Sequence, residues 1–341
     1  MHVLGISAGT LNGNSEVLLK AALQAAEQAH PGLTTSMARI RYMRAPRNGA
    51  PRNGAPLAQS IVPHITTHRP GAPGSDDVDD RPALYEAIMR ADAIIVSTPV
   101  YSHLPPGHIK CFIDDTLGPG ADIALALATD EEGNGLGRKP LSVIDPRLYK
   151  ARVSAFMVVA GSPADMPEQW TLGLVGLHQS MYSIQATTVD QACFAGYGPP
   201  GSVCSDEGST VARAQLLGKR VVSQLGLAVG AAEFLGDSQE GSCPYCHLLT
   251  ISFLGKSDIM CTTCGARGRL TVAADGSFKP EWEQDSGVSH LTMKGKRKHV
   301  DDLIVNSLKG MPDQEAQKRY TYWKDLEVTL VGSAPSQKST L

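Results

Sequence analysis

The chain has 341 residues, of which 42% are hydrophobic and 19% charged, with a formal net charge of -3. This length suits one large domain or two unequal ones, and the composition excludes a disordered, fibrous or coiled-coil protein. The small net charge excludes a chain-wide attraction to nucleic acid, and every apolar stretch falls short of the roughly 20 residues that cross a bilayer. The sequence therefore predicts a cytoplasmic protein with no membrane or nucleic-acid partner.

Strand-like and helix-like segments alternate through the first two thirds of the chain. Short apolar runs predict strands over 2–7, 34–40, 93–97, 153–159 and 184–189. Helical spacing predicts helices starting at 16 and 105, and over 82–90, 168–182 and 210–225. Alternation of this kind implies right-handed crossovers and a doubly wound α/β fold whose parallel sheet presents ligand sites at the carboxyl ends of its strands.

A Pro- and Gly-rich stretch interrupts this alternation after the second strand. Within residues 41–81 the pentapeptide APRNG occurs twice in succession, at 45–49 and 50–54. Two short copies are too few to build a repeat fold. The stretch is therefore predicted to be a flexible surface insertion.

A glycine- and asparagine-rich turn follows the first strand. Unpaired backbone amides and a helix N-terminus favour an anion at such a turn. The polar side chains that could converge on one phosphate belong to Ser7, Thr10, Asn12, Asn14 and Ser15. The turn has neither a P-loop lysine nor a GxGxxG pattern, which excludes a Walker A motif and a dinucleotide fingerprint.

A second loop of interest follows the third strand. It consists of Pro99, Val100, Tyr101, Ser102, His103 and Leu104. Backbone amides, an aromatic ring and an imidazole in one loop can lie against a planar heterocycle. Because carboxyl ends of parallel strands meet at one edge, this loop is expected near the phosphate turn.

Three segments in this order carry a family resemblance: VLGIS with its turn and NSEVLLKAAL, then ADAIIVSTPVYSHLPPGHIKCFIDDT, then AFMVVAGSP. In these segments the region from residue 1 to about 225 resembles NADPH-dependent FMN reductases and multimeric flavodoxin-like oxidoreductases. The resemblance implies a flavodoxin-like five-stranded parallel sheet in the order 2-1-3-4-5, with FMN and NADPH or NADH as cofactors. The arginine that the family usually carries in the phosphate turn is absent here, with Leu11 nearby.

The resemblance also assigns roles to residues of this chain. It implies that the first turn, with Ser7, Thr10, Asn12, Asn14 and Ser15, holds the FMN phosphate. It implies that the loop from Pro99 to Leu104 packs on the isoalloxazine, and that Gly161 and Ser162 close the flavin edge. Tyr101 and His103 are then the candidate catalytic residues, because histidine can donate a proton near neutral pH.

The C-terminal third carries a pair of CxxC motifs, CPYC and CTTC. They contain Cys243, Cys246, Cys261 and Cys264. Two such knuckles can close a tetrahedron of thiolates around one ion, which favours zinc, with iron in a rubredoxin-like centre as the alternative. Four cysteines leave no open coordination position, so the predicted site is structural.

These observations define one functional hypothesis and two alternatives. The predicted domains are an FMN-binding domain over 1–226, a zinc ribbon over 238–280 and a helical extension with a tail over 281–341. The predicted activity is two-electron reduction of a small organic acceptor, such as a flavin, a quinone or a specialised metabolite, by a homodimer or homotetramer. The alternatives are an electron-carrier flavodoxin and a zinc-ribbon protein that binds partners and has a degenerate flavin site.

Overall fold

A computed structural model of the protein describes residues 1–44, 79–117, 121–124, 126, 145–309 and 312–329. The chain divides into two compact units, residues 1–301 and residues 302–341. Most of the predicted insertion, including both APRNG copies, lies outside the described residues.

Five parallel strands form the central sheet of the first unit. They are β1 (His2–Ser7), β2 (Thr34–Arg39), β3 (Ala93–Pro99), β4 (Arg152–Ala160) and β5 (Ala186–Ala195). Their spatial order is β2-β1-β3-β4-β5, with every neighbouring pair parallel. The predicted flavodoxin-like doubly wound fold is thereby confirmed.

Helices cover both faces of this sheet. They are α1 (Asn14–Ala29), α2 (Arg81–Arg90), α3 (Gly107–Thr116), α4 (Leu172–Ser180) and α5 (Thr210–Ser223). Successive strand residues point to opposite faces, so Val3 packs in the cluster with α1 and α5, and Leu4 packs in the cluster with α2, α3 and α4. Both faces are buried, as the near-continuous apolar strands require.

The four-stranded second sheet of this unit belongs to the cysteine-rich region. Its strands are β6 (Ile251–Gly255), β7 (Asp258–Cys261), β8 (Arg267–Val272) and β9 (Phe278–Trp282), antiparallel and in sequence order. The first cysteine knuckle contacts β5, the edge strand of the first sheet. There the Gln191 side chain donates from Nε2 to the carbonyl oxygen of Cys246 at 3.0 Å. The backbone of Leu235 also donates to Val189, at 2.7 Å. These contacts cover part of an edge that would otherwise offer unpaired backbone groups.

Two elements differ from their predicted bounds by four residues or more. The fifth strand continues to Ala195 instead of ending at Val189, because Asp190 and Gln191 are buried with hydrogen-bond partners. The helix predicted over 168–182 begins only at Leu172, after a separate 3₁₀ turn at Pro167–Gln169.

The C-terminal helices are α6 (Met293–Lys309), which crosses the boundary between the two units, and α7 (Gln314–Lys324) in the second unit. The N-terminus of α7 is capped by Asp313, whose carboxylate accepts from the Ala316 amide at 2.7 Å. Within the predicted extension, residues 293–309 and 314–324 are helical, whereas residues 283–292 are not. The domain boundaries at 226, 238 and 280 stay predictions.

Candidate active site

The parallel sheet brings the predicted flavin-site residues to one edge. The loops at the carboxyl ends of β1, β3, β4 and β5 cover residues 8–13, 100–106, 161–171 and 196–201. Two contacts tie the starts of these loops to the neighbouring strands: the Ala8 amide donates to the Ser97 carbonyl of β3 at 3.0 Å, and the Val100 amide donates to the Val159 carbonyl of β4 at 2.8 Å. The first three loops contain the cofactor residues that the sequence predicts, apart from those at the strand and helix ends.

The turn after β1 has the features of a phosphate cradle. Ser7 is 1% exposed, and its hydroxyl oxygen has no hydrogen-bond partner among the described residues. Gly13 is the N-cap of α1, where no described side chain caps the helix. A Cβ on Gly13 would lie 2.5 Å from Thr10 Oγ1, so a side chain there would displace the Thr10 hydroxyl from the turn. An orphan hydroxyl beside an uncapped 16-residue helix fits a bound phosphate.

Several donors of the turn are already used within the protein. The Leu11 amide donates to the Tyr42 hydroxyl at 2.9 Å, and the Gly13 amide donates to the Thr10 carbonyl at 3.0 Å. Asn12 has a positive φ of 55°, and its side-chain oxygen accepts from Lys20 at 3.2 Å. These contacts fix the shape of the turn.

Asn14 and Ser15 begin α1, and both are buried. The Asn14 amide group is engaged with the loop after β5, including a bond of 2.7 Å that its Oδ1 accepts from the Gly201 amide. The carbonyl of Ser15 accepts from the Ser97 hydroxyl at 2.7 Å. A direct phosphate contact by Asn14 stays a prediction, since its side chain faces that loop in the structure.

A buried carboxylate lies in the first turn of α1. Glu16 is 0% exposed and receives Arg39 Nε at 3.0 Å, Arg39 Nη2 at 2.9 Å and Lys20 Nζ at 2.8 Å. The hydrogen bonds from Arg39 lower the pKa of Glu16 to about 2, against the opposing effect of burial. Glu16 is therefore ionised at neutral pH, and two cations compensate its charge beside the phosphate turn.

The loop after β3 forms a tight hairpin. Tyr101 and Leu104 exchange backbone hydrogen bonds of 2.8 and 3.2 Å across Ser102 and His103. The φ angles of Ser102 and His103 are 49° and 72°, as a type I′ turn requires. Two consecutive non-glycine residues at positive φ carry backbone strain, which is typical of functional loops.

The His103 ring connects this hairpin to the next loop. Its Nδ1 lies 3.0 Å from the carbonyl oxygen of Glu168, so in the neutral ring Nδ1 carries the hydrogen and donates. Nε2 is then the nitrogen available to a ligand. The hairpin residues from Tyr101 to Leu104 are all exposed, so the structure leaves this face open to an aromatic molecule.

The third predicted loop, with Gly161 and Ser162, is held from two sides. The Ser162 hydroxyl donates to Gln169 Oε1 at 2.6 Å, and its carbonyl accepts from the Gly196 amide at 2.7 Å. A Cβ on Gly161 would lie 3.3 Å from the Gly198 Cα, a contact that explains the lack of a side chain there.

The four predicted metal ligands form one cluster. Their sulfur atoms all lie within 4.8 Å of one another, and all four residues are 0% exposed. The Cys243–Cys264 and Cys246–Cys261 sulfur pairs are 3.5 and 3.4 Å apart. A tetrahedral ion with metal–sulfur bonds of about 2.3 Å needs sulfur separations of about 3.8 Å, so the cluster fits a metal-binding module.

The two knuckles that hold these thiols have the same backbone design. The amide of the residue after each CxxC donates to the first cysteine's carbonyl: His247 to Cys243 at 2.8 Å and Gly265 to Cys261 at 2.9 Å. Both donors have positive φ, 58° and 81°. His247 stacks on Phe234 with ring centroids 3.7 Å apart. This packing holds a histidine in a conformation that glycine adopts more easily.

Three contributors to these sites were not predicted from the sequence. His108, in the first turn of α3, has Nε2 2.9 Å from the Ala8 carbonyl and so fixes the phosphate turn. Gln191 links His178, at 2.8 Å, to the first cysteine knuckle. The loop over 196–201 joins the site through Asn14. Only the glycine and proline content of that loop was visible in the sequence.

Comparison with known proteins places the chain in a family. The model of the NADPH-dependent FMN reductase family matches residues 1–164. A curated relative, the flavone synthase cfoJ of Aspergillus candidus, is 35% identical over 307 residues, which covers 89% of this chain and 88% of the relative. A solved structure described as a flavone reductase superposes with a TM-score of 0.71 at 22% identity, covering 98% of this chain and all of the other.

The chain belongs to the NADPH-dependent FMN reductase family. It is accordingly an FMN-dependent oxidoreductase that uses NAD(P)H, which confirms the predicted enzyme class. In the part of the chain that the structure describes, no helix is both long and apolar enough to cross a membrane.

Proposed function

We propose that the acceptor is a flavone or a similar flat enone, reduced at the carbon–carbon double bond conjugated to its carbonyl. The names of the curated relative and of the superposed structure both refer to flavones. The observation that carries the proposal is an apolar mouth at the carboxyl ends of β3 and β4. It consists of Tyr101, Leu104, Met166 and Leu172, which are 46%, 49%, 41% and 42% exposed.

This mouth suits a flat polycyclic ligand. Large exposed apolar side chains grouped at one edge of a protein typically mark a ligand or partner site. Tyr101 and Leu104 are on the hairpin after β3, while Met166 and Leu172 are on the segment after β4. The hydrogen bond between His103 and the Glu168 carbonyl joins the two segments. Burying these side chains under an aromatic acceptor would remove apolar surface from water at about 25 cal/mol per Å².

Different residues of the chain are assigned to different parts of the FMN molecule. Ser7 Oγ and the first amides of α1 would hold the FMN phosphate, with Thr10 and Asn12 beside them. The hairpin from Pro99 to Leu104 would face the ring, and the backbone at Gly161 would close that part of the pocket. Bound FMN, reduced by NAD(P)H, supplies the hydride that the enone accepts.

The proton is the second part of the reduction. The hydride reaches the carbon β to the acceptor's carbonyl, and a proton must then reach the α carbon. We assign that proton to His103 Nε2 in its imidazolium form, because Nδ1 is held by the Glu168 carbonyl. Tyr101 stacks on the acceptor and orients it. The products are the saturated flavanone and NAD(P)⁺, and the neutral imidazole regains its proton from water.

The cysteine cluster has a structural role in this proposal. We propose zinc as its metal, since four thiolates in a buried tetrahedron leave no open position for chemistry. Iron in the same site is the alternative that metal analysis decides. A homodimer or homotetramer and a cytoplasmic location belong to the same proposal, with NADPH or NADH as the reductant.

Steady-state assays without oxygen test the acceptor. NADPH oxidation is followed with flavone and, separately, with ferricyanide, a small acceptor that does not need the apolar mouth. Leu172→Glu should raise the KM for flavone at least about 10-fold, because a charge would be buried under the ligand, and should leave the ferricyanide rate within about 2-fold. The matched control is Leu216→Glu, at an exposed leucine of α5, which should change neither rate. Ferricyanide reduction without any flavone reduction in the wild-type enzyme would overturn the proposed acceptor.

A further inference from the structure

The side chain of Asn14 forms all its described hydrogen bonds with one segment, residues 197–202. Asn14 is the first residue of α1 and is 8% exposed. Its Nδ2 donates to the carbonyls of Tyr197 and Pro199, each at 2.9 Å, and lies 3.1 Å from the Ser202 hydroxyl. Its Oδ1 accepts from the Gly201 amide at 2.7 Å. Through its two N–H donors and its carbonyl oxygen, this one buried amide contacts four groups and fixes the position of the segment over 197–202 relative to the start of α1.

The same loop is also fixed from the side of β4. The Tyr197 amide donates to the Ala160 carbonyl at 2.9 Å, and the Gly196 amide donates to the Ser162 carbonyl at 2.7 Å. Gly161 and Gly198 approach each other so closely that a Cβ on either would lie within 3.5 Å of the other's Cα. The loop over 196–201 therefore bridges the phosphate turn and the loop that closes the flavin edge.

The loop over 196–201 connects parts of the protein that do not belong to neighbouring strands. In the order β2-β1-β3-β4-β5, two strands separate β5 from β1. The loop reaches the start of α1 because α1 and α5 pack on the same face of the sheet. The Gly201 φ of 83° aims its amide toward Asn14, a conformation that glycine adopts without strain.

We infer that the loop over 196–201 is the outer wall of the phosphate end of the FMN pocket, and that Asn14 is the positioning residue that holds it there. The inference rests on the proposed placement of FMN at α1. It differs from a direct contact, since Asn14 acts on the cofactor through the loop. A loop that is free to move would let the cofactor leave faster, so the expected effect is on the affinity for FMN.

The test compares the cofactor affinities of the wild-type protein and four variants, all prepared without flavin and titrated with FMN and with riboflavin. Asn14→Ala should raise the FMN Kd about 10- to 100-fold, because three donor contacts and one acceptor contact to the loop are lost. It should raise the riboflavin Kd less than about 3-fold, because riboflavin lacks the phosphate. Ser202→Ala should raise the FMN Kd about 2- to 5-fold, and the double variant should match Asn14→Ala, because the removed contact is shared. Asn306→Ala, an exposed asparagine of α6, is the control and should change nothing.

Amide hydrogen exchange in the flavin-free proteins supplies a readout that does not depend on the cofactor. Exchange at Gly201 should be at least about 10-fold faster in Asn14→Ala, while the β1 amides keep their protection. An unchanged FMN Kd together with faster exchange at Gly201 would overturn the inference and leave Asn14 a purely structural role. Additive effects of Asn14→Ala and Ser202→Ala on the FMN Kd would also contradict the inference. Additivity is the result expected if Asn14 contacts the phosphate directly and does not act through the loop. If Asn14→Ala does not fold, the affinity of Ser202→Ala decides alone. A wild-type protein that binds no FMN would overturn the proposed function itself.

Discussion

Replacing Glu16 by glutamine removes the one buried carboxylate in the first turn of α1. In the folded protein its pKa falls from an ordinary value of 4.5 to about 2. Each pKa unit corresponds to about 1.4 kcal/mol, so the ionised form contributes at most about 3 kcal/mol to the free energy of unfolding at pH 7. Arg39 and Lys20 are 39% and 47% exposed, and solvent screening reduces that contribution to about 2 kcal/mol.

The pH dependence of this contribution has a definite sign. The folded-state pKa is depressed, so the stabilisation is complete above about 4.5 and is lost as pH falls toward 2. We expect Glu16→Gln to lower the melting temperature of the FMN-loaded enzyme by about 4 °C at pH 7. The difference from wild type should shrink steadily between pH 4.5 and pH 2.5.

Thermal unfolding followed by circular dichroism at several pH values measures both effects. The matched control is Glu207→Gln at an exposed glutamate, which should melt within about 1 °C of wild type at every pH. Equal melting of Glu16→Gln and wild type at pH 7 would refute the argument. A difference that persists unchanged at pH 2.5 would show that lost packing, not lost charge, is the cause.

Three further predictions follow from other parts of the structure. Metal analysis should find about one zinc per chain, and Cys243→Ser should lose it and unfold the cysteine-rich region first; a red, iron-containing preparation would favour the rubredoxin-like alternative. His103→Ala should slow acceptor reduction about 100-fold in stopped-flow experiments and leave hydride transfer from NADPH intact, whereas equal slowing of both half-reactions would deny it the proton-donor role. Gly218→Ala should lower the free energy of unfolding by about 1 to 3 kcal/mol, because the new Cβ would lie 2.8 Å from the Ala22 carbonyl carbon where α5 packs on α1. The control is Gly208→Ala, where a Cβ meets nothing within 4 Å and the free energy of unfolding should stay unchanged. Similar urea midpoints for the two variants would contradict the packing argument.

The sequence predicted the fold well because its periodic signals are strong. The apolar runs of β1, β3 and β4 are buried on both faces, so they stand out from the amphipathic helices around them. The fifth strand was predicted too short because Asp190 and Gln191 look like a polar boundary. Asp190 is buried against Arg213 at 2.9 Å, and Gln191 against the cysteine knuckle, by partners distant in sequence. Local periodicity cannot contain such information.

The segments of the candidate site were predicted from the sequence, but the contacts between them were not. Residue types and spacing indicated the phosphate turn, the hairpin from Pro99 to Leu104 and the cysteine cluster, because each lies in a continuous segment. The partner of Asn14 could not be predicted, since it depends on a loop more than 180 residues away in sequence. The hydrogen bond from His103 to Glu168 is likewise a contact between two loops that only the folded sheet brings together.

An anaerobic spectral titration of the purified enzyme tests the central claim most directly. The purified protein should be yellow and contain about one FMN per chain. One equivalent of NADPH should bleach it, and one equivalent of flavone should restore the colour with formation of the flavanone. A colourless protein that binds no added FMN, or a bleached flavin that flavone leaves bleached, would contradict the account.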